Sequence, residues 1–183
     1  MEYVDGIRLR EFRQIKNEIR GSDRYLVVGI DVAKERHNAF LGTASGRTLH
    51  KRLIFDNTIA GFRKLLTLTE ALKVQNDLAK VVFGVEPTAN YHKPLAEHLL
   101  KCGQLVVLVS ATAVKNNRQL LDSRWDKHDT KDAANVADLI SQGKCLYYEY
   151  PDPKVRDIRN LLSLKRRLTH LPQLSLKIHK KGR

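Results

Sequence analysis

From Tyr25 onward, short apolar runs alternate with stretches of helical periodicity. Tyr25-Leu-Val-Val-Gly-Ile-Asp31 is a continuous, β-branched run, the pattern of a strand buried on both faces. His37 to Thr43 and Thr48 to Phe55 read as two more strands, joined at Ala44-Ser-Gly-Arg47 by a tight turn that uses glycine. Asn57 stands where it can cap a helix carrying Ile59, Phe62, Leu65, Leu66 and Leu68. Another buried strand follows at Val81 to Val85, then a helix through Leu95, Leu99 and Leu100 that stops at Gly103. Leu105 to Val109 is a fifth strand, and two helical segments come after it. The second runs from about Lys131 to Gln142, with Gly143 as its stop. Three strands opening with a hairpin, followed by alternating crossovers, predict a mixed five-stranded α/β sheet with helices on both faces.

The two ends carry a different pattern. In residues 1–24, Ile7, Phe12, Ile15 and Ile19 fall roughly on one helical face among Arg8, Arg10, Arg13, Lys16 and Arg20. This predicts a basic amphipathic helical extension outside the main core. Residues 25–150 then form the central domain. In residues 151–183, Val155, Ile158, Leu162 and Leu168 recur among Arg156, Arg159, Lys165, Arg166 and Arg167, the start of a basic helix that Pro172 is expected to interrupt. The order of elements in the central segment is that of a ribonuclease H-like sheet.

Charge changes the picture more than length does. The 183 residues hold 33 Lys and Arg against 20 Asp and Glu, a formal net charge of +13. Such a balance points to a polyanionic partner, nucleic acid before an acidic membrane surface. A hydrophobic content of 42% supports a real core and argues against wholesale disorder. Cys102 and Cys145 form neither a disulfide framework nor a metal-ligand spacing, which suits a reducing, cytoplasmic setting. The longest apolar runs are too short to span a bilayer, so no membrane role is expected, and the charged amino terminus lacks an apolar signal segment.

The candidate chemistry sits on acids. Asp31 ends the first strand, and Glu86 follows Val81 to Val85 and precedes Pro87. Asp129 and Asp132 are three apart at a helix start, which brings them to one face. Carboxylates from two strand ends and a helix turn suit Mg²⁺ or Mn²⁺, hard ions that prefer oxygen. Two such ions can clamp the attacking and leaving oxygens of a phosphodiester. Each acid also has a structural reading. Asp31 can cap the next turn, Glu86 can pair with Lys93 or Arg118, and Asp129 and Asp132 can serve as a helix cap and a first-turn dipole partner. Asp122 and Asp126 lie in the same stretch, so spacing alone does not select the working pair. The histidines lack a zinc spacing, Ser45, Ser110 and Ser123 have no nucleophile-elbow context, and Trp125 and Tyr91 read as packing before base stacking.

Three motifs carry a resemblance. Gly29-Ile-Asp-Val-Ala-Lys34, Val85-Glu-Pro-Thr-Ala-Asn-Tyr-His92 and Arg124-Trp-Asp-Lys-His-Asp-Thr-Lys-Asp-Ala133 resemble the DEDD transposases of bacterial insertion sequences, a family that includes the Piv-type DNA invertases. The resemblance covers roughly residues 25–150. It implies a ribonuclease H-like amino-terminal domain similar to the Holliday-junction resolvase RuvC, acting on DNA with Mg²⁺ or Mn²⁺. It puts the family's acidic tetrad on Asp31, Glu86, Asp129 and Asp132. It also implies a structured guide RNA and a multimeric synapse, hence self-association. Ala89 departs from the glycine usual in the second motif. Family members continue through a coiled coil into a domain with a nucleophilic serine, so a chain stopping at Arg183 is expected not to complete recombination alone. The competing expectation is a nucleic-acid-binding and dimerisation remnant of an inactivated element, whose acids are structural. An actin- or sugar-kinase-like ATPase opens with a similar strand and hairpin, but Val32-Ala-Lys-Glu35 lacks the small and hydroxyl residues that hold phosphate there.

Overall fold

The computed structural model describes residues 2–122, 129–149 and 152–180. In chain order the elements are α1 (Glu2–Ile19), β1 (Tyr25–Asp31), β2 (Arg36–Thr43), β3 (Thr48–Asp56), α2 (Ile59–Gln75), β4 (Lys80–Val85), α3 (His92–Lys101), β5 (Leu105–Leu108), α4 (Ala111–Asp122), α5 (Asp129–Ser141), β6 (Leu146–Tyr147) and α6 (Pro153–Lys180). They divide into two compact units, Met1–Tyr148 and Glu149–Arg183. Among the described residues no helix is long and apolar enough to cross a membrane.

The first unit is a mixed six-stranded sheet in the order β3-β2-β1-β4-β5-β6. β1 pairs antiparallel with β2 and parallel with β4, and β4 pairs parallel with β5. This is the ribonuclease H-like arrangement. Alternation along β1 builds two cores. Leu26, Val28 and Ile30 face one core with Phe62 and Leu65 of α2 and Leu95 and Leu99 of α3. Tyr25 and Val27 face the other, with Val136, Ala137 and Ile140 of α5 and Val114 of α4.

The second core holds a feature on which the site depends. Gly29 of β1 and Gly84 of β4 are register partners. A Cβ at Gly29 would overlap the Ala133 carbonyl oxygen and lie 2.5 Å from the Ala137 nitrogen, and one at Gly84 would overlap the Ile140 side chain. Two adjacent glycines therefore form a shallow seat into which α5 sinks.

Four expectations need correction. The sheet has six strands rather than five, because β6 is two residues long and leaves no alternation to read. One face of α1 packs into the second core: Phe12 is 9% and Ile19 0% exposed, packed with Tyr25 and Cys145. Its basic residues mask this in the sequence, yet Glu18 bridges to Lys80 at 3.0 Å and the Arg20 Nε donates to the Gln142 carbonyl at 3.0 Å. The cap of α2 is Thr58, whose hydroxyl accepts from the Gly61 N–H at 3.2 Å. α6 continues through Pro172 to Lys180 without interruption.

The glycine seat leads to an ordered expectation. Gly29→Ala meets helix backbone, which cannot rotate away, whereas Gly84→Ala meets a side chain. Gly84→Ala should cost about 1–3 kcal/mol and Gly29→Ala more than that. Denaturant midpoints of the two variants check the order.

Candidate active site

Parallel pairing brings the first two acids together. Ile30 is opposite Val85, so Asp31 and the residue after Val85, Glu86, leave the sheet on adjacent strands. Strand spacing puts their backbones about 5 Å apart. α5 lies over Gly29, two residues before Asp31, and carries Asp132 in its first turn, 4% exposed. Asp31, Glu86 and Asp132 line one cleft of about 490 Å³. Asp129 is the first residue of α5, one turn before Asp132, but its side chain lies outside the described residues, as do Ser123, Trp125, Asp126 and His128.

The facing wall comes from α4, which contributes Lys115 and Arg118 to the same cleft. Ser110 caps this helix, its hydroxyl accepting from the Ala113 N–H at 3.2 Å. Asn117 and Asn135 clasp α4 to α5: the Asn117 amide donates to Asn135 and Asp138, and the Asn135 amide donates to the Val114 carbonyl, each at 2.7 Å. Against this rigid pair Arg118 forms an ion pair with Asp132. Its Nε is buried and has no acceptor among the described residues. Of the two cations the sequence offers to Glu86, Arg118 is engaged with Asp132.

The loop after Asp31 is tied down from behind. His37 is fully buried, its ring 5.1 Å from that of Phe55, and its Nδ1 accepts from the Ala33 N–H at 3.2 Å. The Asn57 amide donates to the Lys34 carbonyl at 3.1 Å, and the Asn57 N–H donates to the Glu35 carbonyl at 2.8 Å. Beyond Glu86, the Thr88 N–H donates to the Glu86 carbonyl at 2.8 Å, and Ala89 has φ of 48°, the left-handed conformation that favours glycine. Sequence reasoning misses Lys115, Arg118 as a partner of Asp132, and the asparagine clasp. Their signal is the one-turn spacing of Ala111, Val114, Lys115 and Arg118 along α4.

The donor chemistry suits a hard divalent cation, since Asp31, Glu86 and Asp132 all offer carboxylate oxygens. Among the described residues, no three His, Cys, Asp or Glu side chains stand close enough as placed to ligate one ion. Asp132 instead has a guanidinium as its positive partner.

The sequence model of the DEDD transposases of the IS110 type, described as "Transposase", matches residues 28–173. The chain belongs to this family. No curated protein matches it. Among solved structures, T. thermophilus RuvC in complex with a Holliday junction substrate is similar at 10% identity, with a TM-score of 0.43, over 68% of this chain and 99% of that one.

Two buried histidines predict an acid-sensitive fold. Burial holds His37 below its ordinary value of 6.5, and it does the same to His92, helped by the charge of Lys93. A base with a depressed folded pKa is neutral in the fold and protonated more readily when unfolded. Stability is therefore full above about pH 6.5 and falls as the pH drops through the folded values. Denaturation midpoints between pH 8 and 5 should decline, and less steeply in His37→Gln; equal slopes would assign the linkage elsewhere.

Proposed function

We propose that residues 25–150 are the metal-dependent catalytic domain of a DNA transposase or site-specific recombinase. It acts on phosphodiester bonds through Asp31, Glu86, Asp129 and Asp132. One observation carries the reading: carboxylates from β1, from the end of β4 and from α5 open on one cleft walled by Lys115 and Arg118. Asp31, Glu86, Asp129 and Asp132 would hold Mg²⁺ or Mn²⁺, which would supply Lewis-acid activation of the phosphodiester oxygens. The chain's own residues do the rest. Asp31 and Glu86 are fixed by strand ends, and Asp132 by the seating of α5. Lys115 and Arg118 line the cleft beside the acids and serve as phosphate contacts. DNA is the substrate in this reading, and a structured guide RNA is the further partner that family membership suggests.

A second reading has one observation in its favour. The Arg118–Asp132 ion pair is also what a binding and dimerisation module with purely structural acids would contain. Mn²⁺ titration separates the two. Asp31→Asn should weaken Mn²⁺ binding about tenfold or more, a change of at least about 1.4 kcal/mol, while Asp122→Asn leaves it unchanged. Equal effects, or no Mn²⁺ binding by the parent chain, would favour the structural reading.

Self-association is assigned to α6. Val155, Ile158, Leu161, Leu162, Leu164 and Leu168 are each more than 40% exposed along this 28-residue helix. A helix with an uncovered apolar stripe gains stability chiefly by packing. Sedimentation should reveal concentration-dependent association that is lost when residues 155–183 are removed. An unchanged profile would refute the pairing.

A further inference from the structure

A second cleft, of about 500 Å³, opens on the other side of Asp31 and shares Asp31 and Ala33 with the first. It is lined by Lys34, Glu35, Arg36, Asn38, Arg52 and Ile54, three cations against one further carboxylate. Register explains why these side chains meet. Asp31 is opposite Asn38, and Asn38 is opposite Ile54, so the three form one row across β1, β2 and β3. Directly opposed residues share a sheet face, and so do residues two apart on one strand. Arg36 and Arg52 therefore flank this row on the face of Asp31. The glycine seat holds α5 against β1, from which it reaches onto β2, and Ile54 on β3, at 39% exposure, marks the part of this face left open. Lys34, Arg36 and Arg52 are exposed, and none forms an ion pair with a carboxylate among the described residues.

We propose that this open sheet face binds the single DNA strand flanking the scissile phosphate, with Arg36, Arg52 and Lys34 as its phosphate contacts. The inference rests on the reading of Asp31 as part of a phosphodiester site and assigns the path by which the substrate leaves it. Two strand spacings separate Asp31 from Ile54, roughly 10 Å. That length and a cleft of this size suit one or two nucleotides of one strand rather than a duplex. Ile54 and the stem of Arg52 supply an apolar floor for a sugar or base, and the three cations supply the electrostatic track expected of a single-strand groove.

The test uses the full chain in EDTA, with no divalent ion, and a fluorescent single-stranded oligonucleotide titrated at several salt concentrations. Each neutralised phosphate on a single strand contributes a log–log salt slope of about −0.7. Arg36→Gln and Arg52→Gln should each reduce the slope by about 0.7, and the double variant by about 1.4. Arg36→Lys should keep the parent slope, as should Arg63→Gln on α2, across the sheet. Mn²⁺ affinity should be unchanged in the double variant. A parent-like slope in the double variant, or a parent that binds single strands without salt dependence, overturns the inference. Loss of duplex binding with single-strand binding intact overturns it as well. If the slopes fall as stated but Asp31→Asn leaves Mn²⁺ binding intact, the strand groove stands and the catalytic reading of Asp31 fails.

Discussion

Helix α5 approaches β1 so closely that no side chain fits between them at Gly29. That approach sets most of the geometry of the site. It carries Asp132 to within one cleft of Asp31 and Glu86, although the three belong to elements far apart in sequence. It fixes α4 as well, because Asn117 and Asn135 bind the two helices to each other. It also bears on which part of the sheet is left bare, since α5 spans β1 and part of β2 while Ile54 on β3 stays 39% exposed. A methyl group at position 29 would thus disturb packing, chemistry and the neighbouring surface together. Packing at this density transmits displacement rather than absorbing it.

The chain is strongly basic, yet its candidate chemistry is acidic, and the structure divides the cations between two tasks. Lys80 and Arg20 tie α1 to β4 and to the end of α5, where they stabilise the fold. Lys115 and Arg118 face the carboxylates, and Lys34, Arg36 and Arg52 stand on the other side of Asp31. Carboxylates crowded into one cleft repel each other. A positive neighbour on Asp132 offsets part of that repulsion and keeps the first turn of α5 in place. The basic surround therefore supports the acids even before any phosphate arrives.

Patterns confined to one element are legible in the sequence. β1 and β4 show as apolar runs, and Asp31 and Glu86 stand out because each ends such a run. What escapes depends on pairing across elements. Two-residue β6 forms only because β5 offers an edge. Phe12 and Ile19 look like one face of a solvated basic helix until Tyr25 and Cys145 are placed against them. Asn57 and Thr58 are both cap-type residues in sequence. Only the fold separates them, giving the helix cap to Thr58 and the loop after Asp31 to Asn57. Arg118 reads as a partner for Glu86, since sequence distance cannot say that α5 delivers Asp132 to it first.

The segment after Glu86 shows how a local cost is retained. Pro87 ends the strand, the Thr88 N–H turns back onto the Glu86 carbonyl, and the Tyr91 N–H bonds to the Thr88 carbonyl. Closing the turn puts Ala89 at a positive φ, where its Cβ crowds the following carbonyl at a cost of about 1–2 kcal/mol. Such strain persists only where the surroundings over-determine the backbone. Here they do: β4 is buried on one side of the turn, and Leu95, Ala96 and Leu99 anchor α3 on the other. The backbone at Glu86 is thus held next to Asp31 by the packing of β4 and α3 on either side of the turn rather than by any preference of the loop itself.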